Sequence, residues 1–391
     1  MPDKKQPTPK KHSFRPLKQL RVRVKRRLGW LGIPKIVPYT AYGDHDKIMV
    51  TGAVIEDKGI SPPEPDQSVW KNILNMVKRY SGDEIEGAMV RIEYAGRQVV
   101  IRTNELGLFH TVLPNDYAEP DRETWEPVKL TLQVDYTENQ GTVTAEARVH
   151  IADPESDYIV VSDVDDTVMV SHSTRTLRKL RLMLYKNALT RSPFEGVAGF
   201  YKALHTGEEG KQRSIFYVSG SEWNLIDLLE EFFEAKGIPK GTFLLSDQKL
   251  RLFSMFRSGK KYQDKILRIR ELFELYYRQS FILIGDSGQK DPEIYLKIAE
   301  MYPNRVRAIY IRHIGKRLRN QRVEKLAAEA GELGVEMVLV HSTLEAARHA
   351  VDSGFIRFEQ VSGIVADKRK EERLPDQPPL DKGSQKQQAA S

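Results

Sequence analysis

The spacing of apolar and polar residues changes character twice along the chain. Between residues 47 and 151 short runs alternate with a period of two: Val128, Leu130, Leu132, Val134 and Tyr136 share one face, and Lys129, Thr131, Gln133 and Asp135 the other. Similar runs fall at 48–55, 89–94, 98–102, 108–113 and 142–151, separated by turn chemistry such as Ala95-Gly96 and Asn139-Gln140-Gly141. One amphipathic helix is predicted over 68–80, with Val69, Ile73, Met76 and Val77 on its stripe. The pattern predicts a small antiparallel β-sandwich over residues 41–152.

After Pro154 the texture becomes alternating strand and helix. Continuous apolar runs at 158–161, 214–218, 243–245, 281–284, 306–311 and 335–340 are those of strands buried on both faces. Helical periodicity lies between them, at 223–236, 264–277, 292–301, 321–330 and 344–352. Such repetition predicts a parallel sheet covered on both sides over residues 153–363, with its ligand site outside the carboxyl ends of the strands. Residues 1–40 read as a loosely attached basic arm and residues 364–391 as a disordered polar tail.

Charge changes this picture at one end. The 391 residues carry a formal net charge of +7, but 11 of the 61 Lys+Arg and one of the 54 Asp+Glu lie in residues 1–29. The leader is therefore +10 and the remainder, with 50 bases and 53 acids, is −3. A leader of this kind is drawn to polyanions, and Leu28, Trp30, Leu31 and Ile33 directly behind it suit an anionic lipid surface. The plainer alternative is a solvated solubility tail. The absence of cysteine excludes disulfide scaffolds, cysteine-ligated zinc and cysteine-nucleophile phosphatases. No run of 18 apolar residues occurs, and the expected location is cytoplasmic, peripheral at the inner face of the membrane.

Chemistry-bearing residues collect where strands end. Asp163-Val164-Asp165-Asp166-Thr167 follows the first apolar run of the second region, and Ser219-Gly220-Ser221 follows the next. Lys265 opens a predicted helix, and Gly285-Asp286-Ser287-Gly288-Gln289-Lys290-Asp291 follows the run at 281–284. Carboxylates clustered at neighbouring strand ends repel one another unless a cation intervenes, and an all-oxygen donor set selects a hard ion, Mg²⁺ first. With a lysine and a hydroxyl nearby, such a site cradles a phosphoryl group. One carboxylate can attack phosphorus, and a second, two residues on, can protonate the leaving oxygen and later activate water.

In this order the four motifs resemble the haloacid dehalogenase-like superfamily of phosphotransferases. More narrowly, residues from about 36 to 361 are similar to the actin-patch-associated phosphatidate phosphatase family and its bacterial relatives, on stretches at 38–43, 160–171, 191–204, 217–223, 281–295 and 343–356. The resemblance implies a Rossmann-like parallel sheet with a small cap. It implies Asp163 as nucleophile and Mg²⁺ ligand, Asp165 as general acid/base and backbone ligand, and Thr167 closing the loop around the phosphoryl group. Ser219 would bind a phosphoryl oxygen and Lys265 would neutralise it. Asp286 would be the other protein ligand to the metal, with Asp291 in direct or indirect contact. Gly220 departs from the bulkier polar residue that the family pattern has there.

Between Thr167 and Phe194 there is no acid, yet His172, Arg175, Arg178, Lys179, Arg181, Lys186 and Arg191 alternate with leucines. Residues 249–261 repeat that mixture. Basic amphipathic cover suits an anionic headgroup carrying acyl chains, although residues so spaced commonly face a core. The expected function is Mg²⁺-dependent hydrolysis of phosphatidate to diacylglycerol and phosphate. The expected partner is an anionic phospholipid, met peripherally through residues 1–33, in preference to nucleic acid. The alternatives are a phosphatase for a soluble phospho-metabolite, a receiver-type signalling domain and a non-catalytic polyanion-binding adaptor. His341 is read as structural and Trp223 as a packing residue.

Overall fold

The computed structural model describes residues 22, 24–25, 28–59, 82–115, 124–164, 196–223, 226–246, 258–313 and 317–372. The predicted helix at 68–80 lies outside them, as do Asp165, Thr167, the basic stretch to residue 195 and residues 247–257. Alternating residues build the first region: Met89–Tyr94 buries every second side chain, and Val90, Ile92, Val128 and Leu130 are fully enclosed. Seven strands, β1 (Pro34–Gly43), β2 (Lys47–Glu56), β3 (Met89–Tyr94), β4 (Arg97–Arg102), β5 (Leu108–Pro114), β6 (Thr124–Leu132) and β7 (Thr144–Ile151), join in the order β4-β3-β6-β7-β1-β2-β5.

Three expectations are corrected. Pairing is antiparallel except at one seam, where β1 runs parallel to β7 through Tyr42–His150 and Gly43–Ile151. β6 ends at Leu132 rather than Tyr136, because the chain turns out of the ladder so that the Tyr136 hydroxyl can accept from Met89 N at 2.9 Å. The basic arm does not extend to residue 40. Leu31 and Ile36 enter the β-domain core, and Lys25 Nζ reaches Glu56 Oε2 at 2.9 Å and Asp83 Oδ2 at 2.8 Å.

The second region is a six-stranded parallel sheet, β10-β9-β8-β11-β12-β13. Its strands are β8 (Tyr158–Asp163), β9 (Ile215–Glu222), β10 (Thr242–Ser246), β11 (Ser280–Asp286), β12 (Val306–Arg312) and β13 (Glu336–Val340). Seven helices are described: α1 (Val197–Thr206), α2 (Ile226–Ala235), α3 (Ser258–Leu275), α4 (Asp291–Met301), α5 (Arg317–Glu332), α6 (Thr343–Asp352) and α7 (Phe358–Glu372). α7 corrects the expected tail boundary at 364. Its sequence is polar overall, which hides it, yet Ile364 is completely buried and its backbone lies where a side chain on Gly199 of α1 would collide with it.

The two regions share a core. Val37, Tyr39, Ala53 and Ile55 belong to the same apolar cluster as Tyr158, Tyr217 and Trp223, and Tyr39 stacks on Trp223 with ring centres 4.1 Å apart. Thr40 Oγ1 donates to Phe243 O, the Tyr276 hydroxyl donates to Gly43 O, and His150 Nδ1 meets Thr242 Oγ1 at 2.7 Å. Trp223 thus packs as expected, against a strand of the other region.

Because Ile364 fills the core from α7, Ile364→Ala should lower unfolding free energy by about 2–4 kcal/mol. Phe358→Ala, on the same helix but 75% exposed, should stay within about 0.5 kcal/mol. Urea unfolding of the two variants checks the assignment, and equal midpoints would contradict it.

Candidate active site

β8 lies where the chain order reverses, leaving for β9 on one side and returning to β11 on the other. A crevice opens at the carboxyl ends of such strands. Asp163 ends β8 in register with Val218 of β9, so Ser219 follows directly beside it. Ser162 is in register with Ile284 of β11, which sets Asp163 level with Gly285 and next to Asp286. The sequence brings these residues together through plain strand geometry: five consecutive buried residues of β8 leave its first charged side chain at the open end.

Lys265 enters from α3. The helix begins at Ser258, so Lys265 sits in its interior instead of at its start, a correction to the predicted boundary. Its Nζ donates to Asp163 Oδ1 at 2.6 Å and to Asp291 Oδ1 at 2.5 Å. Burial alone would pull the ammonium pKa down; Asp291 and Asp163 outweigh it and hold the pKa well above 10.5. The cation that neutralises two of the three acids is therefore built into the chain.

Asp291 is the first residue of α4, with Pro292 behind it at a position where the missing N–H costs nothing. Its Oδ2 accepts from Asp286 N at 3.1 Å. Both Asp291 oxygens are thus engaged, one by Lys265 and one by the backbone turn. Gly285 makes this possible: a Cβ there would lie 2.5 Å from Asp291 Oδ2 and 2.6 Å from Asp291 Cβ. Asp286 Oδ1 accepts from the backbone N–H groups of Gly288 at 2.6 Å and Gln289 at 3.1 Å, which fixes the turn after β11.

Four contributors escaped the sequence reading. Gln289 Nε2 approaches Asp163 Oδ2 at 3.4 Å, and Arg312 Nη2 lies 3.7 Å from Asp286 Oδ2. Arg268 Nη1 donates to the Ser219 carbonyl, and the Tyr295 hydroxyl donates to Ile284 O at 2.8 Å beneath the site. Burial, then the Asp291 and Asp163 charges, raise the Tyr295 pKa, so it remains a neutral donor. Arg312 was findable, since it ends a strand beside β11. Gln289 was visible inside the quoted motif but has no charge to draw attention. Asp165 and Thr167 lie outside the described residues. His341 stands apart, on the surface, its ring 3.5 Å from Glu345 and tilted against His313.

The donor chemistry fits a hard divalent cation. Asp163 and Asp286 offer oxygen only, and their Oδ2 atoms meet Gln289 and Arg312 at 3.4 and 3.7 Å. Asp291 fits less well as a ligand, because a metal would have to displace Lys265 or the Asp286 amide.

Family comparison now adds to the geometry. Residues 158–313 match the phosphatidate phosphatase APP1 catalytic domain. That APP1-type segment runs from the start of β8 to the residue after β12 and so contains every side chain of the cluster. Phosphatidate phosphatase APP1 of Saccharomyces cerevisiae is 31% identical over 153 residues, 39% of this chain and 25% of its own length. An uncharacterized protein of Schizosaccharomyces pombe is 26% identical over 162 residues, 40% of this chain and 25% of its own. The matched region thus spans about a quarter of the length of these relatives. Among solved structures, a carbohydrate acetylesterase from Xanthomonas citri aligns over 79% of this chain and 69% of its own at 10% identity, with a TM-score of 0.27.

Since two carboxylates hold Lys265 protonated against its burial, Asp291→Asn should lower its pKa, read by NMR titration of the Lys265 side chain. An unchanged titration would show that Asp163 suffices. The sign for stability follows from a folded pKa above the unfolded 10.5. The stabilisation from this pair is complete at neutral pH and is lost only as pH climbs through the raised value. Gly285→Ala should destabilise by about 1–3 kcal/mol through the forced contact with Asp291, measured by the same unfolding assay.

Proposed function

We propose that the chain is a Mg²⁺-dependent phosphatidate phosphatase of the haloacid dehalogenase type, working through an aspartyl-phosphate on Asp163. The observation that carries this reading is the Lys265–Asp163–Asp291 cluster at the chain reversal of the sheet, inside the segment that matches the APP1 catalytic domain. A carboxylate already neutralised on one oxygen by an ammonium can receive a dianionic phosphoryl group on the other without a prohibitive field.

In the first step Asp163 Oδ2 forms a bond to phosphorus, and the phosphorus–oxygen bond to the diacylglycerol breaks. The departing oxygen takes the bonding pair and a proton, a role assigned to Asp165. Water then attacks phosphorus, giving up a proton to the same carboxylate, and the acyl phosphate bond breaks to return Asp163 and release inorganic phosphate. Lys265 holds Asp163 in position and offsets charge on the transferring group. Ser219 stands beside Asp163 to bind a phosphoryl oxygen, and Gln289 orients the attacking carboxylate. Mg²⁺, held by Asp163 and Asp286, would supply further charge neutralisation.

Phosphate release from phosphatidate in mixed micelles, with and without chelator, tests the proposal. Asp163→Asn should reduce release to background, and Asp286→Asn should raise the Mg²⁺ concentration required. Brisk turnover of sugar or nucleotide monophosphates with none of phosphatidate would replace the lipid by a soluble substrate. Full activity of Asp163→Asn would remove the covalent mechanism.

A further inference from the structure

Four of the eleven exposed large apolar side chains among the described residues fall within one decapeptide: Val24 at 44%, Leu28 at 51%, Trp30 at 71% and Ile33 at 50% exposure. The other seven are scattered, which is ordinary for a protein surface. This decapeptide is fastened from beneath. Lys25 pairs with Glu56 and Asp83, Leu31 is buried in the β-domain core, and Gly32 N donates to Glu56 Oε1 at 2.9 Å. A helical turn, with Leu28 N to Val24 O and Trp30 N to Lys25 O, ends at Gly29, whose φ of +69° turns the chain over. Inward groups fix the backbone and leave Leu28, Trp30 and Ile33 on the outside.

We infer that Leu28, Trp30 and Ile33 form an insertion site for the interface of an anionic bilayer, steered by the basic leader. Charge complementarity commits the occupant: ten of the eleven bases in residues 1–29 remain once Lys25 is turned inward, against one acid. An indole beside aliphatic side chains suits the headgroup boundary, whereas nucleic acid would offer the aliphatic ones no partner. The inference deepens the phosphatidate reading but is measured without turnover.

Full-length protein is sedimented with phosphatidylcholine vesicles, with and without phosphatidylglycerol, and with a DNA duplex as competitor. Binding should require the anionic lipid and fall steeply with salt. Leu28→Ala/Trp30→Ala/Ile33→Ala should weaken it by at least about tenfold, with an unchanged circular dichroism spectrum and melting temperature. Replacing Lys4, Lys5, Lys10 and Lys11 by Gln should weaken it most at low salt. Asp163→Asn should bind vesicles as the wild type does, which separates docking from catalysis. Wild-type affinity in the triple variant, no sedimentation with anionic vesicles, or preferential capture by the duplex would each overturn the inference.

Discussion

An ammonium group wedged between two carboxylates at the open end of a parallel sheet is the constraint from which the site follows. Bringing Asp163, Asp286 and Asp291 to adjacent strand ends would cost several kcal/mol in mutual repulsion at low dielectric. Lys265 removes that cost for two of them, and Arg312 with two backbone N–H groups eases it for Asp286. Secondary structure meets the same requirement. α3 must reach over the sheet to deliver Lys265, Gly285 must lack a side chain so that Asp291 can fold back, and α4 must begin at Asp291. A buried ion triad of this kind is a weak source of stability compared with apolar packing. Its value is in the poise of one carboxylate: held, charged and presented.

The β-domain contributes by enclosure. Its first strand lies against β9 and β10, and Tyr39, Trp223 and Phe243 fill the seam. Trp125, His150 and Phe216 continue the stack on the far side, with ring centres 4.6 and 5.4 Å apart. Aromatic packing of this extent ties the two sheets into one body.

Period-two and all-apolar runs made most strands legible in the sequence, because burial on one or both faces writes itself into residue order. The strand-end rule located Asp163, Ser219 and Asp286, and the structure sets them side by side. What escaped has identifiable causes. α7 is polar on most of its surface and holds its place through Ile364, so composition pointed to a tail. The parallel β1–β7 seam is a long-range pairing with no local signature. Lys265 was placed at a helix start because residues 249–261 before it were read as a separate basic amphipathic stretch, inside which the helix in fact begins. Gln289 and Arg312 act through distance to a carboxylate, which spacing along a chain does not encode.

Asp291 illustrates how geometry separates two roles that sequence leaves merged. A carboxylate five residues past Asp286 at the mouth of the sheet could ligate a cation or position a neighbour. Here one oxygen is bonded to Lys265 and the other to the amide of Asp286, with the side chain 1% exposed. Withdrawing Oδ1 would leave the buried ammonium with one carboxylate in place of two, and withdrawing Oδ2 would take the side-chain acceptor from the Asp286 N–H, at a cost on the order of 1–3 kcal/mol. Asp291 is therefore committed to holding Lys265 and the turn after β11 in place.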